Sequence, residues 1–309
     1  MPDQTAQHMQ CMEVWGGSQL TSRSVEFGGL DTWVYSKPYG KAHAGGDIYY
    51  ASSCATGRIS RLLLADVAGH GQTVAATAAD LRTLMRRFVN RLDQTEFVRL
   101  LNQQFGALPR TGAFATAIVT TFFEPSRRLT ICNAGHPRPL LYRAAQRQWD
   151  CLGAQDAGSR SAPSNIPLGL FDAAEYEQFD IELSQGDCLL SFTDALIESR
   201  DADGEMLGED GLLRIVRLLG DVEPQKLIEI LLSEIERRYP ENLSEDDVTV
   251  LVIRANGRRL RFSFSEKLRA FGRFTHALIR GRAPFPDANI ANIGGAIFPA
   301  LARRWRARS

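Results

Sequence analysis

The chain has 309 residues, 44% of them hydrophobic and 23% charged, a composition typical of a globular protein with one large domain or two small ones. Its 36 basic and 36 acidic residues cancel, but residues 1–253 hold 23 basic and 34 acidic side chains while residues 254–309 hold 13 and 2, so a body of charge −11 precedes a tail of charge +11. The five cysteines are scattered and form no C-x-x-C pair, which argues against a disulfide framework and a zinc site. The N-terminus is polar and no run of about 18–20 apolar residues occurs, which argues against a signal peptide and a membrane span. The cytoplasm is therefore the expected location.

The predicted elements are short strands, interrupted twice by pairs of helices. Alternation around Trp33 and Tyr35 predicts an edge strand. Hairpins rather than alternating βαβ units indicate antiparallel sheets covered by helices, an α+β layered fold. The remaining predicted elements, in chain order, are a strand pair at 47–50 and 59–65, helices at 72–92 and 96–108, strands at 115–123 and 128–133, a hairpin of 139–143 with the region of Trp149, a polar loop at 153–166, strands at 177–183 and 187–193 with a Gln-Gly turn between them, helices at 210–219 and 224–238, and a strand at 248–253.

Acidic residues stand at the ends of four apolar runs, next to turns. They are Asp47 in A-G-G-D-I-Y-Y, Asp66 in L-L-L-A-D-V-A-G-H-G, Asp194 in F-T-D-A-L-I-E-S, and Asp246 with Asp247 in E-D-D-V-T-V-L-V-I. Taken singly, each is more simply a turn residue or a helix cap. Converging at one sheet end, carboxylates would repel one another, and a bound divalent cation would offset that cost. Hard oxygen ligands suit Mg²⁺ or Mn²⁺.

The motifs in this order resemble the PPM-type (type 2C-like) serine/threonine protein phosphatases of bacteria, in the branch of sporulation and stress regulators. The resemblance covers roughly residues 44–254 and includes F-A-T-A-I-V, N-A-G-H-P-R-P-L-L and P-L-G-L besides the four acidic motifs. It implies a four-layer αββα sandwich of two antiparallel sheets flanked by helices, followed here by a basic C-terminal tail. The implied domains are an N-terminal extension over 1–40 that packs on the domain, a phosphatase domain over 41–254 and a basic amphipathic tail over 255–309.

The resemblance also implies a site for two ions, Mn²⁺ or Mg²⁺. Its metal ligands fall on Asp47, Asp66, Asp194 and Asp246, with the backbone carbonyl of Val67, and Asp247 is the less suitable member of its pair. The implied reaction is hydrolysis of phosphoserine or phosphothreonine by a metal-activated water, so no side chain beyond that water is assigned as catalytic.

Three positions depart from the family pattern. Tyr50 stands where relatives often have a second acid, which puts an accessory metal contact there in doubt. Ala195 replaces the usual glycine of T-D-G, which is tolerable only if its φ is negative. His70 follows Asp66 by four residues rather than two, so the role of a general acid is not carried over to it. For both His70 and His136 a structural role in a glycine-rich turn is favoured.

The tail suits several partners. Its basic segment with Leu268, Phe271, Phe274 and Leu278 could lie on an anionic membrane, dock on an acidic partner or pack on the acidic body of the same chain. Nucleic acid is not expected, because no recognised binding motif accompanies the charge. A homodimer is left open.

The leading functional prediction is therefore a metal-dependent phosphoprotein phosphatase in a bacterial signalling or partner-switching pathway. Its substrate in that branch would be a phosphorylated protein of the anti-sigma-factor-antagonist type. The first alternative is a non-catalytic domain of the same fold that binds a phosphoprotein or signals by conformation. The second is a two-metal phosphoesterase that acts on small molecules.

Overall fold

The computed structural model describes residues 7–8, 14–54, 57–69, 72–91, 93–108, 112–153 and 165–258. Short strands alternate with two helical segments, as the sequence predicts. The strands are β1 (Gln7–His8), β2 (Val14–Gly17), β3 (Thr21–Phe27), β4 (Leu30–Lys37), β5 (Ile48–Ser53), β6 (Ile59–Val67), β7 (Ala115–Phe123), β8 (Arg128–Ala134), β9 (Leu140–Arg143), β10 (Gln148–Cys151), β11 (Gln178–Glu182), β12 (Cys188–Phe192) and β13 (Val248–Ala255). The helices are α1 (Gln72–Phe88), α2 (Gln94–Gly106), α3 (Ala195–Glu198), α4 (Gly208–Leu219) and α5 (Pro224–Arg238), with one 3-10 turn at Glu124–Ser126.

Two sheets form the centre of the fold. One has seven strands in the order β1-β3-β4-β13-β12-β9-β10, and the other has six in the order β11-β8-β7-β6-β5-β2. The pairings within them are antiparallel except for that of the two-residue β1 with β3. The predicted α+β fold is confirmed.

Three apolar clusters separate four layers. The first joins the six-stranded sheet to α1 and α2, the second joins the seven-stranded sheet to α4 and α5, and the third fills the space between the sheets. Along β6, Leu63 and Ala65 face the helices while Leu62 and Leu64 face the other sheet. Both faces of this strand are buried, which explains why it is a continuous apolar run rather than an alternating one.

Several predicted pairs lie where the sequence indicates. β5 pairs with β6, β7 with β8, and β9 with β10, each antiparallel. Helix α1 ends at Phe88 rather than at the predicted Leu92, and a turn follows in which the amide of Arg91 donates to the carbonyl of Phe88 at 2.9 Å. Asp93 then caps α2 by accepting a hydrogen bond from the amide of Glu96 at 3.0 Å.

Two strand predictions are wrong. β4, which contains Trp33 and Tyr35, is not an edge strand, because it pairs with β3 on one side and β13 on the other. β11 and β12 do not form a hairpin, since β11 pairs with β8 in one sheet and β12 with β9 and β13 in the other. The chain therefore crosses between sheets at residues 183–187.

The segment assigned to an N-terminal extension contributes strands to both sheets. β2 pairs with β5 in the six-stranded sheet, and β3 and β4 extend the seven-stranded sheet from β13. Residues 14–37 are therefore built into the sandwich. Most of the predicted loop at 153–166 and the tail from 259 lie outside the described residues.

Candidate metal-binding site

The aspartates at strand ends come from both sheets. Asp66 is the penultimate residue of β6, and the register of β5 with β6, extended by one residue past Ile48–Ala65, brings Asp47 opposite it. Asp194 follows β12, and Asp246 precedes β13. Because β12 and β13 are antiparallel neighbours, these last two lie at the same end of their sheet.

Hydrogen bonds join the two sheets at this end. The hydroxyl of Thr193 donates to Oδ2 of Asp47 at 2.8 Å, and the backbone N–H of Thr249 donates to the same hydroxyl oxygen at 2.9 Å. Thr193 and Thr249 are fully buried, so their positions are well determined by packing. Asp47 is thereby held from the opposite sheet.

The carboxylate of Asp247 is hydrogen-bonded to backbone amides. Its carboxylate accepts hydrogen bonds from the amides of Tyr39, at 2.6 Å, and of Gly46. The side chain is 4% exposed and lies under the loop that leads into β5. Its oxygens are therefore used to hold that loop.

Two glycines make room for this arrangement. A Cβ on Gly45 would lie 2.2 Å from Oδ2 of Asp247, and a Cβ on Gly46 would lie 2.7 Å from Val74 Cγ1 and 2.9 Å from the carbonyl oxygen of Val67. Real Cβ atoms do not approach other atoms this closely. The glycines thus let the loop pass between Asp247 and the end of β6, with Gly46 close to the Val67 carbonyl.

The carboxyl groups raise one another's pKa. Burial, and then the charges of Asp194 and Asp246, raise the pKa of Asp66 to about 7. Burial, followed by Glu198 and Asp246, raises the pKa of Asp194 to about 6. Burial and then Asp66 hold the pKa of Asp47 well above its usual range. Burial is the larger cause in each case, and the repulsion between carboxylates that adds to it is of the kind that a bound cation would offset.

The donor set fits a hard divalent cation. The predicted set consists of carboxylates with a backbone carbonyl, the oxygen ligands that Mg²⁺ and Mn²⁺ prefer. Within the described ranges no three His, Cys, Asp or Glu side chains already surround a single point as a metal-binding group. Mg²⁺ is usually held by one or two carboxylates and several waters, so a sparse protein shell suits it.

The positions that depart from the family pattern are accommodated in different ways. Tyr50 is a core residue between the six-stranded sheet and the helices, and burial raises its pKa to about 12. Ala195 begins α3 and is not among the described residues with positive φ, so its methyl group causes no strain. His70 lies outside the described residues.

His136 is buried and hydrogen-bonded to residues of the six-stranded sheet. Its Nδ1 and the hydroxyl of Thr116 are 2.9 Å apart, and Thr116 pairs with Asp66 across β6 and β7. Asn133 exchanges two hydrogen bonds of 2.8 Å with the backbone of His136. Burial lowers the pKa of His136 to about 3, so the ring is neutral at physiological pH.

Sequence reasoning missed two residues that act on the predicted ligands. Thr193 precedes Asp194 in F-T-D, but only the fold shows that its hydroxyl reaches Asp47. Glu198 raises the pKa of Asp194 from the far end of α3. The spacing of four residues in D-A-L-I-E was the available signal, since such residues are neighbours on a helix.

The sequence model described as "Stage II sporulation protein E (SpoIIE)" matches residues 57–256, about two thirds of the chain. The chain belongs to this family. The solved structure of the RsbU and RsbW domains of Rv1364c from Mycobacterium tuberculosis is 23% identical, with a TM-score of 0.61 over 85% of this chain and 72% of that one. The PP2C phosphatase domain of SpoIIE from Bacillus subtilis, solved with a fragment of its regulatory domain, is 16% identical, with a TM-score of 0.59 over 80% and 64%.

A further similar structure contains metal. The catalytic domain of the serine/threonine protein phosphatase PstP, in complex with two manganese ions, is 17% identical, with a TM-score of 0.51 over 73% of this chain and 97% of that one. Together these neighbours show that the chain has the fold of the PP2C-type phosphatases. The predicted family and its sporulation and stress branch are confirmed.

Proposed function

We propose that the chain is a metal-dependent phosphoprotein phosphatase that hydrolyses phosphoserine or phosphothreonine. The observation that carries the proposal is the cluster formed by Asp47, Asp66, Asp194 and Asp246 at one end of the sandwich, in which neighbouring carboxylates raise one another's pKa.

Each residue of the proposed site has a definable role in this function. Asp47, Asp66, Asp194 and Asp246, with the carbonyl of Val67, would hold Mn²⁺ or Mg²⁺, and two ions are proposed, as in PstP. When bound, the ions would supply an activated water for attack on phosphorus and would offset the phosphoryl charge. Thr193 orients Asp47 by its hydrogen bond, and Asp247 holds the loop that carries Asp47.

The pathway and the division of the chain are proposed on similar grounds. The family and the neighbour with RsbU and RsbW domains support a role in partner switching, with a phosphorylated protein of the anti-sigma-factor-antagonist type as substrate. We keep the phosphatase domain at 41–254 as the proposed catalytic unit, with the strands of residues 14–37 completing its sheets. Within the described residues, no helix is long and apolar enough to cross a membrane.

A phosphatase assay tests the proposal. The full chain is expected to release phosphate from a phosphoserine or phosphothreonine protein only when Mn²⁺ or Mg²⁺ is present. Asp66→Ala and Asp194→Ala should each lower kcat/KM by at least about 100-fold, since loss of a residue that only supports a metal ligand already costs about 10- to 100-fold. Glu229→Ala, on the exposed face of α5, is the matched control and should keep wild-type activity.

Three results would contradict the proposal in different ways. Activity of the wild type that persists without metal would exclude the mechanism. Metal binding without activity on any phosphoprotein would favour the non-catalytic alternative. Activity on nucleotides but not on phosphoproteins would favour the small-molecule phosphoesterase.

A further inference from the structure

A groove with a volume of about 160 Å³ opens beside the candidate metal site. One wall is α3 and the turn after it, and the other is the segment between α5 and β13. Asp246 is part of the second wall, and Ala195, the neighbour of Asp194, is part of the first. A segment bound in this groove would lie next to two of the predicted metal ligands.

The lining of the groove combines apolar and acidic side chains. Its exposed apolar part is Met206, which is 56% exposed although it is large and hydrophobic, while Ala195 and Leu243 beneath it belong to the core. Four acidic residues line the groove against a single arginine: Glu198, Glu241, Glu245 and Asp246 against Arg200, whose Nη1 donates to the carbonyl of Gly204 at 2.7 Å. This lining is complementary to a basic segment that also carries apolar side chains.

We propose that the tail of the same chain, residues 259–309, docks in this groove and competes with the phosphoprotein for the site. These residues hold 11 Lys and Arg against 2 acids, a net charge of +9, while residues 1–258 hold 25 basic and 34 acidic residues, a net charge of −9. The stretch A-R-R-W-R-A-R-S at 302–309 interleaves arginines with Trp305, the combination that the lining favours.

The tail is long enough to reach the groove. β13 begins at Val248, next to Asp246, and ends at Ala255, so its eight residues carry the chain about 26 Å from the site. Arg258 is anchored there by an ion pair of 3.1 Å with Glu26. The 51 residues that follow could span up to about 170 Å when extended, several times the return distance.

Limited chymotrypsin digestion of the full chain tests the docking without any need for activity. The probe is the rate of cleavage in residues 259–309, with cleavage in the body as the internal standard. Docking protects the tail, so Glu241→Lys is expected to speed its cleavage roughly two- to fivefold, the effect of losing one or two exposed ion pairs. Glu245→Lys should act in the same direction, and high NaCl should speed cleavage of the wild-type tail by screening.

Glu229→Lys is the matched control, because it makes the same charge change at an exposed position on α5 outside the groove. Equal cleavage rates in wild type, Glu241→Lys and Glu229→Lys would overturn the proposal. Protection of the tail from cleavage that appears only with phosphatidylglycerol vesicles and is unchanged by Glu241→Lys would also overturn the proposal, and would assign the tail to a membrane surface.

The inhibitory part of the inference rests on the proposed phosphatase function. If docking inhibits, Glu241→Lys should raise the metal-dependent activity and reduce its stimulation by salt, whereas Glu229→Lys should change neither. A tail that Glu241→Lys releases in a chain without phosphatase activity would support docking and count against the proposed function. A chain that has phosphatase activity, but whose tail is cleaved at the same rate with and without Glu241→Lys, would support the proposed function and count against docking.

Discussion

Asp66 is the residue whose environment has the clearest consequence for stability. Asp66 pairs with Thr116 of β7, and burial, followed by the charges of nearby carboxylates, raises its pKa to about 7. The folded chain therefore binds this proton more tightly than the unfolded chain, whose aspartate has an ordinary pKa near 3.9. In the absence of metal, the contribution of Asp66 to stability is greatest below about pH 4 and is lost as the pH rises to about 7.

Urea unfolding of the metal-free chain at pH 5 and pH 7.5 measures this contribution. The free energy of unfolding should fall between the two pH values, and Asp66→Asn should reduce the fall by about 1 to 3 kcal/mol. Asp180→Asn, at the exposed edge strand β11, is the control and should leave the fall unchanged. An unaltered pH dependence in Asp66→Asn would mean that the carboxylate is not held in this cluster.

The four aspartates could be located from the sequence because each motif is local, an apolar run that ends in an acid and a turn. What holds them could not be located in this way. The partner of Asp47 is Thr193, 146 residues later in the chain, and the partners of Asp247 are amides about 200 residues earlier. Such pairs depend on how the two sheets stack, which no local pattern encodes.

At the level of elements, the crossover at residues 183–187 takes the chain from β11 in the six-stranded sheet to β12 in the seven-stranded sheet. Asp187, just before β12, is 1% exposed. Its carboxylate accepts hydrogen bonds from the amides of Ser184 and Ala144, each at 2.9 Å, and forms an ion pair of 2.9 Å with Arg143. These contacts attach the crossover to the end of β9 and so direct the chain into the seven-stranded sheet.

Asp187→Ala should therefore destabilise the chain by about 1 to 3 kcal/mol, because it removes the buried carboxylate that accepts from the amides of Ser184 and Ala144 and pairs with Arg143. Asp180→Ala is the matched control. Asp180 pairs with Arg128 at 3.5 Å where both side chains are about half exposed, so its loss should cost less than about 1 kcal/mol. The measurement is the free energy of unfolding in urea. Similar losses in the two variants would show that the crossover is held by other contacts.

The sequence predicted the bounds of these strands well but not their partners. A polar turn with Gln185 and Gly186 between two strands is the usual signal of a hairpin, and β9 with β10 follows that rule. The crossover does not follow this rule, and Asp187 instead binds Arg143 and Ala144 at the end of another hairpin. Likewise, β4 was expected at an edge because its alternation looks half-exposed, whereas its position beside β13 depends on long-range pairing.

Across the whole molecule, the candidate site is a joint between the two sheets. Asp66 lies in one strand of the six-stranded sheet and Asp47 directly precedes another, while Asp194 and Asp246 flank strands of the seven-stranded sheet. The third apolar cluster already holds the sheets together over their facing surfaces. A cation bound by ligands from both sheets would add a second connection at the end of the sandwich that carries these aspartates, where the carboxylates otherwise repel one another.

Mn²⁺ should therefore stabilise the molecule as a whole rather than one sheet. At a free concentration of about 100 times Kd, one bound ion contributes about 2.7 kcal/mol, which for a domain of this size raises Tm by roughly 5 to 10 °C. In scanning calorimetry of the full chain, the transition should move upward without splitting. Asp66→Asn and Asp194→Asn should each lose most of this shift, although one lies on the six-stranded sheet and the other beside the seven-stranded sheet, while Asp180→Asn should keep it. If only one of two separate transitions moved, or if either site variant kept the full shift, the ion would not be shared between the sheets.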